Sequence, residues 1–171
     1  MGKDLQAVFN GAMAVVKVKK IGGEDRQLQR FISNLVPSNS YQQHLPGDDV
    51  HLPYLGQLSM ISVQAEEELV VDSEDLTSCF NLFSLPKAWA PYMAFGKAVD
   101  GSVFGLAPGE QVYPSMAVIP MGWLSAVALT QAIVRHLVFD LSGVKPASEV
   151  RKTAPFPADD EFSVIYLDSF N

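Results

Sequence analysis

Two apolar, β-prone runs in this chain end on carboxylates. Leu69-Val70-Val71 leads to Asp72, Glu74 and Asp75, and the stretch 162–167, FSVIYL, leads to Asp168. Short apolar runs bounded by polar clusters suit buried strands, so each aspartate is expected at the end of a rigid element. Two such strands in one sheet bring two negative charges together. Like charges side by side repel unless a cation neutralises them, commonly Mg²⁺, which prefers oxygen ligands. Taken singly, either aspartate is more often a strand-end turn residue or a helix cap than a ligand. Their combination is what constrains the chain.

Composition sets the outer limits. With 48% hydrophobic and 18% charged residues, the 171-residue chain can bury a core of about one domain, which excludes a disordered or collagen-like polymer. The net charge of −7 argues against a generic nucleic-acid binder with a basic face. That sum conceals a polarity. The first 30 residues hold six bases (Lys3, Lys17, Lys19, Lys20, Arg26, Arg30) against three acids (Asp4, Glu24, Asp25), and the remainder holds six against sixteen. The single cysteine, Cys79, excludes an intramolecular disulfide framework, and His44, His51 and His136 lack metal-ligand spacing. The N-terminus lacks the order of a signal peptide. The apolar run 116–134 is interrupted by Pro120, Gly122, Ser125, Thr130 and Gln131, so a buried helix is expected there and not a membrane span. An intracellular location is expected on these grounds, in no particular compartment.

The order of elements points to an α+β fold, an antiparallel sheet backed by helices. Residues 11–20, GAMAVVKVKK, suit a strand, IGGED a turn, and RQLQRFISNL the returning strand of a hairpin that carries the basic charge. A solvated hairpin with edge-protecting lysines has the same composition. Residues 37–53 read as an ordered loop, and 54–61 as a short amphipathic helix. Residues 69–71 are expected as a buried strand, 92–99 as extended, and 112–119 as a strand before a turn at Pro120. Residues 125–139 show the clearest helical periodicity, and the chain ends in a strand reaching Asp168.

Four segments, in order, resemble the fingers and palm of a reverse transcriptase. Residues 30–39, RFISNLVPSN, are similar to the fingers strand that begins on a triphosphate-binding arginine. Residues 70–80, VVDSEDLTSCF, resemble the first palm motif, an aspartate followed five positions later by an aromatic. Residues 120–131, PMGWLSAVALTQ, resemble the second, a Pro-x-Gly-aromatic turn leading into a helix with a glutamine. Tyr166-Leu167-Asp168-Ser169 resembles the Tyr-x-Asp-Asp box of a palm hairpin.

The resemblance implies an RNA-directed DNA polymerase, a nucleotidyltransferase of a retroelement, working on an RNA or DNA template with a primer and dNTPs. By position, Asp75 and Asp168 are the catalytic pair and hold two Mg²⁺ ions, or Mn²⁺ as a substitute, with the backbone carbonyl of Leu76 as a further ligand. Arg30, Lys19 and Lys20 bind the triphosphate, Phe80 is the steric gate beneath the sugar, and Met121, Gly122 and Gln131 complete the nucleotide site. Asp72 has Thr77 and no aromatic five residues on, and is expected to cap the turn.

The sequence departs from that pattern in three places. Ser169 replaces the second aspartate of the box, Met121 stands where retroviral relatives have a polar Gln, and the chain stops at Asn171. Residues 11–53 are expected as fingers hairpin and loop, and 54–171 as palm with further fingers elements. The returning strand of the last hairpin, the thumb and any ribonuclease H segment of the polyprotein are expected downstream, and the portion 1–171 alone is expected to be inactive. Two other readings remain from the residues: a catalytically inactive remnant that binds nucleic acid or protein, and an unrelated small α+β binding module.

Overall fold

The computed structural model describes residues 11–170, apart from the side chains of Ala12, Met13, Ala14, Val15, Gln29, Arg30 and Phe170. Lys3 and Asp4, counted in the basic surplus above, lie outside the described residues. The fold is α+β, with short antiparallel sheets and 3₁₀ turns around one longer helix. The chain divides into two compact units. One comprises Met1–Gln43 and Phe83–Leu124, the other His44–Leu82 and Ser125–Asn171.

In the first unit, β1 (Gly11–Ile21) and β2 (Glu24–Asn34) pair antiparallel from Gly11 opposite Asn34 to Ile21 opposite Glu24. Gly22 and Gly23 join them at φ of 62° and 87°. A two-residue turn of this hand needs positive φ at both positions, which glycine adopts without a Cβ penalty. A one-turn helix, α1 (Val36–Asn39), follows with Pro37 in its first turn, where a missing N–H costs nothing. Leu35, Met93, Ile119 and Trp123 are buried in this unit, and Trp89 meets Trp123 edge-on at 5.7 Å. The strand expected over 112–119 is broken. Only β5 (Gln111–Val112) forms a ladder, with β4 (Val99–Asp100), and single bridges follow from Ser115 to Ala94 and from Val118 to Ser84. Pro114 interrupts it, having no N–H to donate; its carbonyl accepts from Phe95 N–H at 2.9 Å. The segment expected to be extended from 92 begins instead as the last residue of a 3₁₀ turn, Lys87–Tyr92.

In the second unit, α2 (Ala126–His136) continues into a π-helical turn at Leu137–Leu141. It packs against a three-stranded sheet in the order β3 (Glu74–Asp75), β7 (Ser169–Phe170), β6 (Ile165–Tyr166). Val134, Val138, Val150, Val164 and Ile165 are buried. Ser125 precedes α2, but its hydroxyl caps no helical N–H; it accepts from Leu45 N–H at 2.9 Å. Asp48 N–H donates to Ala128 O at 3.1 Å, so the loop 45–48 lies against the helix backbone. The short helix expected at 54–61 is a 3₁₀ helix, Leu55–Met60.

Two expectations are corrected here. Leu69, Val70 and Val71 form no buried strand: they are 48%, 79% and 66% exposed, and β3 starts only at Glu74. A strand needs a partner for its ladder, and β7 supplies one at 74–75, whereas among the described residues none pairs with 69–71. The returning strand of the last hairpin, expected beyond Asn171, has its first residues within the chain as β7. The apolar run 116–134 is divided between a turn and α2, and no helix of the described residues is long and apolar enough to cross a membrane.

Candidate functional site

β7 lies between β3 and β6 and brings together two segments distant in the chain. Asp75 pairs with Ser169, 94 positions away, and the Ser169 hydroxyl donates to Asp75 Oδ1 at 3.2 Å. Leu76 N–H donates to Asp168 O at 2.7 Å. Asp75 therefore lies opposite Ser169 in the ladder and beside the turn that carries Asp168. Asp75 is exposed and Asp168 half-buried. Their proximity registers on a common neighbour. Burial pushes the Cys79 thiol up, and the negative charges of Asp168 and Asp75 push it further. A shift in that direction disfavours the nucleophilic thiolate.

Asp168 occupies the second position of a two-residue turn between β6 and β7. Leu167, the first, has φ of 52°, a left-handed conformation that is uncommon for a bulky side chain. Gln131, on α2, reaches this turn from within the core. Its Nε2 donates to Ile165 O at 2.9 Å and its Oε1 accepts from Leu167 N–H at 2.8 Å. Gln131 is fully buried. Both ends of its amide are engaged by hairpin backbone, so its bearing on a ligand is indirect, through the hairpin tip.

The donor set suits an oxygen-preferring divalent cation. Among the described residues, neither Asp75 nor Asp168 is in an ion pair. The Leu76 carbonyl accepts from Cys79 N–H at 3.1 Å, which leaves it one lone pair. The described residues contain no group of three or more His, Cys, Asp or Glu arranged to hold a metal. The protein thus offers two carboxylates and a carbonyl, and Ser169 adds a neutral hydroxyl. Phe80 is half-buried on the 3₁₀ turn Cys79–Leu82, directly after Ser78, whose φ is 59°. Asp72 Oδ1 accepts from Ser73 N–H at 3.2 Å, a local turn contact.

The other candidates belong to the first unit. Lys19 and Lys20 are exposed near the tip of the β1–β2 hairpin, opposite Arg26 and Asp25 respectively. Arg30 sits on β2 opposite Val15, and its side chain lies outside the described part of the structure. Met121 and Gly122 form a tight turn closed by Trp123 N–H on Pro120 O at 3.2 Å, with Gly122 at φ of 91°. Three bonds fix this turn from behind. Ser33 Oγ donates to Met121 O at 3.0 Å, Asn39 Nδ2 donates to Gly122 O at 2.9 Å, and Asn39 Oδ1 accepts from Leu124 N–H at 3.0 Å. Trp123 Nε1 donates to Gln42 Oε1 at 2.6 Å.

No family model matches the chain, and no curated protein matches its sequence.

Sequence reasoning missed two groups of residues. Asn39 and Ser33 hold the glycine turn, yet nothing in their local sequence signals a partner so far along the chain. In the second unit, Arg135 links three segments. Its guanidinium bonds Glu149 at 2.7 and 2.8 Å and Asp48 Oδ2 at 2.7 Å, and it lies 5.5 Å from the Phe139 ring centroid. His51 Nδ1 is 2.9 Å from Asp48 Oδ1. This cluster braces α2, the helix that carries Gln131.

Proposed function

We propose that the chain is the fingers and palm portion of a reverse-transcriptase-type polymerase. It would transfer a nucleotide from a dNTP to a primer 3′-hydroxyl on an RNA or DNA template. The observation that supports this reading is the β3–β7 pairing of Asp75 with Ser169, next to the turn that carries Asp168. Two Mg²⁺ ions, or Mn²⁺ in their place, would when bound neutralise charge on the transferring phosphoryl group.

The chain's own residues supply positioning and charge. Asp75 and Asp168 hold the cations, with the Leu76 carbonyl as a further oxygen. Phe80 lies beneath the incoming sugar and excludes a 2′-hydroxyl. In the first unit, the resemblance assigns triphosphate binding to Arg30 with Lys19 or Lys20, and close backbone approach of a nucleotide to Gly122 in the turn that Met121 begins.

A second function, a non-catalytic module of the same ancestry, is favoured by one observation. Ser169 occupies an oxygen of Asp75 with its hydroxyl and brings no charge to the site. Binding of labelled dNTP and of a labelled primed RNA template to the chain, with and without Mg²⁺, separates the two. Mg²⁺-dependent dNTP binding that Asp75→Asn removes supports the polymerase. Template binding without Mg²⁺-dependent dNTP binding supports the module. Equal Mg²⁺-dependent dNTP binding by the wild type and Asp75→Asn overturns the site assignment, and absence of both dNTP and template binding contradicts the polymerase reading.

A further inference from the structure

We propose that Gln131 is the positioning residue of the two-carboxylate site: from the core it holds the Leu167–Asp168 turn in a strained conformation that presents Asp168 beside Asp75 before any cation arrives. This rests on the reading of Asp75 and Asp168 as cation ligands.

The turn itself is poorly suited to its sequence. Two-residue hairpin turns with positive φ favour Gly, Asn or Asp, because a Cβ crowds the backbone in that region. Here the positive-φ position is Leu167, at 52°. A bulky residue persists in such a conformation only where its surroundings over-determine it. Gln131 is the group that does so. Its amide bonds Leu167 N–H at 2.8 Å and Ile165 O at 2.9 Å, one backbone group in the turn and one in β6, and nothing of its side chain reaches solvent.

The platform behind Gln131 is itself fixed. Arg135 lies one helical turn further along α2 and is tied to Glu149 and Asp48. On the other side of the tip, Leu76 N–H grips Asp168 O at 2.7 Å. Asp168 is thus held through its own carbonyl from β3 and through Leu167 from α2. Two carboxylates already gathered spare a cation the cost of ordering them.

The test is Mn²⁺ binding to the full chain, read by electron paramagnetic resonance of the free ion, with thermal unfolding in parallel. Gln131→Met removes the amide at similar length. Leu167→Gly adopts the positive φ without strain and keeps both backbone groups that Gln131 bonds. Gln131→Met is expected to bind Mn²⁺ about tenfold more weakly, as loss of an outer positioning group does. Leu167→Gly is expected to bind within about twofold of the wild type, and adding it to Gln131→Met is expected to recover most of the lost affinity, which a purely structural role would not show. Should Gln131→Met fail to fold, amide exchange of the wild type decides: the Leu167 N–H is expected to be protected before any cation is added, and exchange at the rate of an open turn overturns the positioning role. Affinity of Gln131→Met within about twofold of the wild type, with binding abolished by Asp168→Asn, overturns the positioning role and leaves the cation site standing. Binding unchanged in both Asp75→Asn and Asp168→Asn overturns the cation site, and the positioning role with it.

Discussion

Arg135 meets Glu149 through two parallel N–H···O bonds of 2.7 and 2.8 Å, and the Glu149 side chain is only 1% exposed. The third arm of the guanidinium holds Asp48 at 2.7 Å. A buried carboxylate is tolerated only with such a partner. Arg135→Ala therefore leaves the buried Glu149 with only the longer ion pair to Arg151, at 4.0 Å, and is expected to cost about 3 kcal/mol in urea denaturation. The double variant Arg135→Met with Glu149→Leu is expected to recover most of that loss, because it removes the charge together with its partner. A double variant as unstable as Arg135→Ala would contradict this.

The acid limb of stability is expected to report Asp48. Burial alone raises its carboxyl, but the hydrogen bonds from Arg135 and His51 outweigh burial and hold it below the ordinary aspartate value. A carboxyl lowered on folding stabilises the native state fully above its unfolded value, about pH 4, and this contribution fades as pH falls through the lower folded value. Asp48→Asn is thus expected to be less stable than the wild type at about pH 6. The two should converge as the solution is acidified below about pH 3. Urea midpoints measured across that range check both limbs.

Gly47 has no room for a side chain. A Cβ there would fall 2.5 Å from Ala128 O, on the helix backbone that Asp48 N–H also bonds. Gly47→Ala must push the loop off α2, at an expected cost of about 1–3 kcal/mol. Thermal unfolding indistinguishable from the wild type would refute the close approach.

Asn39 uses both ends of its amide on the turn that carries Gly122. Asn39→Ala hands the exposed Gly122 carbonyl and Leu124 N–H to water, for an expected loss of about 0.5–1.5 kcal/mol. Trp123 sits within that turn and is buried, so its fluorescence should move to longer wavelength. Asn39→Asp keeps the acceptor for Leu124 and loses the donor to Gly122. An intermediate effect is expected.

How legible each part was follows from how local its causes are. The hairpin of β1 and β2 is readable because alternating β-branched residues flank two glycines that a tight turn requires. The helix over 126–136 is readable from its period. Leu69, Val70 and Val71 were misjudged because an apolar run says that a strand is affordable, not that a partner lies across from it. β3 forms instead at Glu74 and Asp75, whose composition is unpromising, because β7 arrives there. The bracing of α2 by Arg135, Glu149, Asp48 and His51 left no sequence signal at all: its members are scattered, and no period or motif joins them. The terminal strand before Asp168 was legible in its apolar run, whereas the pairing of Asp75 with Ser169 and the grip of Gln131 on Leu167 depend on segments distant in the chain meeting.

The account stands most directly on equilibrium binding of a fluorescent dNTP to the chain with and without Mg²⁺. Mg²⁺-dependent binding is expected, weakened at least about tenfold by either Asp75→Asn or Asp168→Asn and unaffected by Asp72→Asn. Binding that ignores Mg²⁺, or that both Asp75→Asn and Asp168→Asn leave intact, would contradict it.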